Sequence, residues 1–68
     1  MVSSVHSIGE LVREKRKQDG LTQTELAELS QVGTRFLSEL ENGKATLRFD
    51  KVLQVLQNLG LQLQMVSR

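Results

Sequence analysis

The sequence predicts an all-α protein, a small helical bundle built around a helix-turn-helix, with a short C-terminal β-strand that pairs across a homodimer. Three observations carry this. The stretch from Leu21 to Gly43 reads as two capped helices on either side of a turn too short for anything else. Apolar residues recur at helical spacing on both sides of it. The tail Leu61-Gln62-Leu63-Gln64-Met65 alternates with period two, as a half-buried strand does.

The first helix is expected to open at Ser7, because Ser7-x-x-Glu10 has the spacing of a capping box. Ile8, Leu11 and Val12 then supply a buried face, and the helix runs to about Asp19 before Gly20 stops it. Arg16 follows Val12 by four and extends that face inward. A buried guanidinium needs an acceptor, and Glu41 is the partner expected for it, the alternative being an arginine that snorkels to solvent. Arg13 and Lys17, one turn apart, are the candidate phosphate contacts of this helix. Residues 1–6 are read as a flexible N-terminus, residues 7–60 as the helix-turn-helix domain and residues 61–66 as the dimerisation strand.

Thr22-x-x-Glu25 is a second capping box, and it starts a helix from about Gln23 to Ser30. Leu26 and Leu29 give this helix an apolar side, and the small Ala27 leaves room for close approach. Gln23 lies in the first turn, where free N–H groups and the helix dipole favour an anion such as phosphate. Ser30-Gln31-Val32-Gly33 turns the chain, and a third helix runs from Gly33 or Thr34 to about Asn42, where Asn42-Gly43 ends it.

Leu37, Leu40 and Glu41 face inward on this third helix, which leaves Thr34, Arg35, Ser38, Glu39 and Asn42 facing out. Arginine can hold guanine O6 and N7 with two hydrogen bonds, glutamate can accept from cytosine N4, and short hydroxyl side chains allow close approach to base edges. Thr34, Arg35, Ser38 and Glu39 are therefore the candidate base-reading residues. The competing reading is a helix that is polar because it is wet. Phe36 sits between the two faces and is expected to be half-buried.

Lys44-Ala45-Thr46 is a loop, with Thr46 as the expected N-cap of a last helix from Leu47 to Asn58. Leu47, Val52, Leu53, Leu56 and Leu59 form its core face, and Gly60 ends it. Lys44 and Arg48 are further phosphate candidates. The tail has no second strand in the chain to pair with. An open apolar edge is a liability, and the same strand from a second copy covers it. Leu61, Leu63 and Met65 are accordingly the expected dimer interface.

Composition narrows the function classes. The chain has 68 residues, no cysteine and one histidine, so disulfides are excluded and a tetrahedral zinc site is not expected. No metal and no cofactor are expected. No nucleophile, metal cluster or phosphate-cradling loop is in view and His6 stands alone, so the chain is not read as an enzyme. No apolar run reaches membrane-span length and MVSSVHS is not a signal peptide, which predicts a cytoplasmic protein, on the nucleoid when bound to DNA.

Charge is segregated along the chain. Residues 1–20 carry four cations against three anions, residues 21–43 one against four, and residues 44–68 four against one. An acidic reading unit with basic flanks fits a module that grips phosphates from its sides.

With these residues in place, LTQTELAELSQVGTRFLSELENGK resembles the Cro/repressor-type (XRE) helix-turn-helix family, in the order LTQ-x-ELA, a buried turn valine, then LS-x-LENGK. The similarity spans about residues 7–60. More narrowly, GTRFLSELENGKATLRFDKVLQVLQNLGL followed by a short strand resembles the HipB-like type II antitoxin branch. The resemblance implies a lambda-repressor-like bundle of four to five helices with an intersubunit strand, double-stranded operator DNA as ligand, autorepression, and a HipA-like kinase toxin as partner. It also implies phosphate contacts at Gln23, Asn42, Gly43 and Lys44, base readout at Thr34, Arg35, Ser38 and Glu39, and an internal pair between Arg16 and Glu41. Where the family has glycine in the turn this chain has Gln31, and a strained or reshaped turn is expected. A stand-alone phage-type or chromosomal repressor, or a mainly protein-binding antidote module, remains the alternative.

Overall fold

The computed structural model describes residues 5–44 and 48–62, with side chains from residue 8 onward. Among them the chain is all-helical. The four helices are α1 (Val5–Gln18), α2 (Gln23–Ser30), α3 (Thr34–Glu41) and α4 (Phe49–Asn58). α3 packs against both α1 and α2, and α2 packs against α4. The core is aliphatic: Val12, Leu26, Ala27, Leu37, Leu40, Val52, Val55, Leu56 and Leu59 are buried together, with Ile8, Leu21, Val32, Phe36 and Leu61 leaning on them.

α2 starts where its capping box places it. Thr22 Oγ1 accepts from the Glu25 N–H at 3.1 Å, and Glu25 Oε1 accepts from the Thr22 N–H at 2.8 Å. All four helices end the same way, on a residue in the left-handed region or just before one, with the next N–H reaching back five residues. These closing bonds run from Leu21 to Arg16, Val32 to Ala27, Lys44 to Glu39 and Leu61 to Leu56. Glycine occupies the left-handed position three times, at Gly20, Gly43 and Gly60; after α2 it is Gln31, at φ 58° and ψ 40°. The turn without glycine therefore keeps the glycine geometry.

The structure corrects several expectations. α1 begins at Val5, so Ser7 lies inside the helix and is not its N-cap; once one turn exists, each further residue adds a hydrogen bond for little cost. Leu11 is 43% exposed and Leu29 57% exposed. In both helices the buried line follows the small residues. Gly9 on α1 lies so close to α3 that a methyl group there would meet the Leu40 carbonyl oxygen, and Leu11 points well away from it. On α2 the buried residues are Leu26, Ala27 and Ser30, which leaves Leu29 off the packed arc. α4 begins at Phe49, and its N-cap position falls on Arg48, two residues later than expected; Thr46 and Leu47 lie outside the described residues. Val55, fully buried, belongs to the core although the spacing of the leucines did not single it out.

The tail strand is not seen in the described part of the tail. Leu61 and Gln62 follow α4 without regular structure, and Leu61 is half-buried against its own core. Leu63 and Met65 lie outside the described residues.

Candidate nucleic-acid interface

The outer face of α3 is set by what its inner face must bury. Leu37, Leu40 and Glu41 are buried, and at 100° per residue this turns Thr34, Arg35, Ser38, Glu39 and Asn42 onto a single arc of about 140° on the other side. Thr34, Arg35 and Asn42 are exposed, whereas Ser38 and Glu39 are half-buried. Short side chains thus run from one edge of the arc, at Thr34, to its middle, and the longer Arg35 and Glu39 hold the other edge. Asn42 turns its amide back, and Nδ2 donates to the Ser38 carbonyl at 2.8 Å, closing the end of the helix.

Arg35 stands 94% exposed at its side chain, with Nε 3.4 Å from Glu39 Oε1. A surface pair one turn apart is worth about 0.3–0.5 kcal/mol. A bidentate arginine–guanine contact is worth about 1–3 kcal/mol, so the tether to Glu39 is the weaker claim on the guanidinium.

Beneath this face lies a buried polar cluster joining three helices. Arg16 Nε donates to Glu41 Oε2 at 2.7 Å and Nη2 donates to Glu41 Oε1 at 3.0 Å, while Nη1 donates to the Leu21 carbonyl at 2.8 Å. Both residues are buried, at 8% and 7% exposure. The hydrogen bond from Arg16 to Glu41 raises the guanidinium pKa above its already high ordinary value, against the opposing effect of burial. Gln23 joins the cluster, its Nε2 donating to Glu41 Oε1 at 3.2 Å. Gln23 thereby ties the first turn of α2 to the buried pair. The sequence carried no signal for the Gln23–Glu41 contact, because the two residues are 18 apart and meet only once α2 and α3 pack.

The other expected phosphate contacts are dispersed. Lys44 is exposed directly after α3, and its backbone N–H closes that helix on Glu39; Gly43, at φ 76°, makes the turn. Arg48 is exposed at the start of α4 and pairs with Asp50 at 3.0 Å. Arg13 and Lys17 are exposed on α1. Lys51, not singled out by the sequence, places its ammonium 5.7 Å from the centre of the Phe36 ring and links α4 to the flank of α3. Among the described residues no group of three or more histidine, cysteine, aspartate or glutamate residues could hold a metal ion, and no helix is long and apolar enough to cross a membrane.

A capped helix, a tight turn and a second helix with a polar outer face form a helix-turn-helix. Comparison with known proteins agrees. The family model described as Helix-turn-helix (HTH_3) matches residues 12–66. The chain belongs to the XRE-type helix-turn-helix family. A helix-turn-helix transcriptional regulator of this family from Sinorhizobium fredii (strain NBRC 101917 / NGR234), y4mF, itself uncharacterized, is 50% identical over 60 residues, covering 88% of this chain and 79% of that one. The chain superposes on HipB in the HipB–O4 20-mer complex with a TM-score of 0.88, at 24% identity, over 98% of this chain and 94% of HipB. The same score, identity and coverage hold for HipB in the HipA–HipB–O2–O3 complex. The clp gene regulator ClgR of C. glutamicum aligns with a TM-score of 0.75 and 32% identity, over 91% of this chain and 80% of ClgR. This helix-turn-helix protein is a transcriptional regulator, and its relatives form a non-enzymatic class.

Proposed function

We propose that the chain is a sequence-specific repressor that binds operator DNA as a homodimer and serves as the antitoxin of a HipBA-like operon, repressing its own promoter and holding a kinase toxin. The observation that carries the DNA-binding half is the outer face of α3, with Arg35 almost wholly exposed above a buried Arg16–Glu41 pair. In this reading α3 enters the major groove, Thr34, Arg35, Ser38 and Glu39 read bases, and Gln23, Asn42, Gly43, Lys44, Arg48, Arg13 and Lys17 hold the backbone. Two protomers read half-sites about 34–36 Å apart. Their spacing is set by the tail, through Leu61, Leu63 and Met65. Repression is steric, since the bound dimer occupies promoter DNA.

The antitoxin half is supported by the close match in fold to HipB, which has been solved together with HipA. A stand-alone repressor differs from it in needing no protein partner.

Fluorescence anisotropy with the DNA upstream of the chain's own gene tests the reading. Binding should weaken steeply as salt rises; weak binding with a flat salt response would overturn it. Arg35→Ala should lose about 1–3 kcal/mol on the specific site and little on random DNA, whereas Gln23→Ala should weaken both alike. Uniform loss with Arg35→Ala would remove the base-reading assignment. Leu63→Glu should convert a sedimenting dimer to monomer.

A further inference from the structure

The polar arc of α3 has two flanks, and the fold places a different polar group on each. At 100° per residue, Glu41 lies about 20° beyond Thr34 at one edge of the arc, and Phe36 about 60° beyond Glu39 at the other. On the Thr34 side Glu41 holds Gln23 at the start of α2, Nε2 to Oε1 at 3.2 Å. On the Glu39 side the half-buried Phe36 carries Lys51 of α4, whose ammonium stands 5.7 Å from the ring centre.

Lys51 brings an uncompensated positive charge to that flank. Arg48 is paired with Asp50 and Lys15 with Asp19, whereas no carboxylate among the described residues pairs with Lys51. An aromatic face attracts an ammonium through its quadrupole and leaves the net charge in place. The ring therefore fixes where a flexible four-carbon chain points without neutralising it.

We propose that Lys51 is a DNA-backbone contact held in position by Phe36, gripping phosphates across the major groove from Gln23. The assignment rests on the DNA-binding reading above. A helix with its side chains is about 10–12 Å across and the major groove about 12 Å wide. A helix lying in that groove turns both flanks to the phosphates of the groove walls. Gln23 serves one wall and Lys51 the other.

Fluorescence anisotropy of the full chain on its upstream DNA, across a series of salt concentrations, tests this. Lys51→Met keeps the stem and its packing and removes the charge. It should lower the slope of log affinity against log salt by about 1 for each protomer bound, and weaken specific and random DNA alike. Lys51→Arg should keep the slope of the unsubstituted chain. Phe36→Leu leaves the charge but removes its seat, so it should weaken binding about two- to fivefold, and clearly less in the Lys51→Met background. An unchanged slope with Lys51→Met would overturn the proposal, leaving Lys51 as a strut between α4 and α3 or as a contact for a protein partner. A lower Tm without a lower slope counts against it in the same way. Equal loss by Phe36→Leu in both backgrounds would remove the positioning role of the ring. Weak, salt-flat binding by the unsubstituted chain overturns the DNA-binding reading and this assignment together, whereas a steep response that Lys51→Met leaves unaltered overturns the assignment alone.

Discussion

Gln31 is the one non-glycine among the described residues with positive φ. Holding an L-residue there costs about 1–2 kcal/mol, yet the turn retains its closing bonds because Val32 gains burial against the core by following it. Gln31→Gly should therefore stabilise the chain by about 1 kcal/mol, part of the relief being offset by glycine's greater freedom when unfolded, and raise Tm by about 4–8 °C. Ser30 tells the opposite story. Its hydroxyl is buried without a hydrogen-bond partner among the described residues, so Ser30→Ala removes a desolvated polar atom and should be neutral or stabilising by about 1 kcal/mol in the same melting experiment. Glu25 gives a pH signature. Its hydrogen bonds from the Thr22 backbone and side chain hold its pKa below the ordinary 4.5. The folded state thus binds this proton more weakly than the unfolded chain, and the cap's contribution is complete above 4.5 and lost as pH falls through the lower folded value. NMR titration should give Glu25 a midpoint below 4.5, with Thr22→Ala moving it up. The capping box itself was legible in four letters of sequence, because its geometry is local; the strain at Gln31 was legible only through the resemblance.

At the scale of elements, the α1–α3 contact depends on Gly9. Alanine there would press on the Leu40 carbonyl. Overpacking against backbone costs about 1–3 kcal/mol and outweighs the helix propensity alanine brings, about 1 kcal/mol. Gly9→Ala should lower Tm and shift the Arg16 Nε–H resonance, since the same contact brings Arg16 to Glu41. Glu41→Ala is the harsher change. It leaves Arg16 buried without its carboxylate and frees Gln23, for a loss of about 3–5 kcal/mol, a large share of the ~5–15 kcal/mol that holds a domain of this kind together. Leu11 and Leu29 read as core from their spacing and are exposed, because helices dock where side chains are smallest. Periodicity counts large apolar residues and is blind to the glycine that decides the approach.

For the molecule as a whole, charge segregation and DNA binding meet in the salt response. Removing one lysine–phosphate interaction should lower the slope of log affinity against log salt by about 1. Lys44→Ala should lower it by about 1 if one protomer binds and by about 2 if a dimer does, so a single substitution also counts protomers. An unchanged slope would take Lys44 out of the interface. The acidic stretch 21–43 would not by itself suggest a DNA ligand. Its carboxylates are sorted by the fold: Glu41 is neutralised inside by Arg16, and Glu25 is held in the capping box with Thr22.

The sequence by itself determined the start and end of α2 and α3, the polar arc of α3 and the inward direction of Arg16, because caps, turns and helical period act within a few residues. The tertiary structure alone decided that α1 docks on α3 at Gly9, that Gln23 shares Glu41 with Arg16, and that Leu29 faces outward. Those contacts join residues far apart in the chain, and which of several apolar faces is buried depends on how closely two backbones can approach.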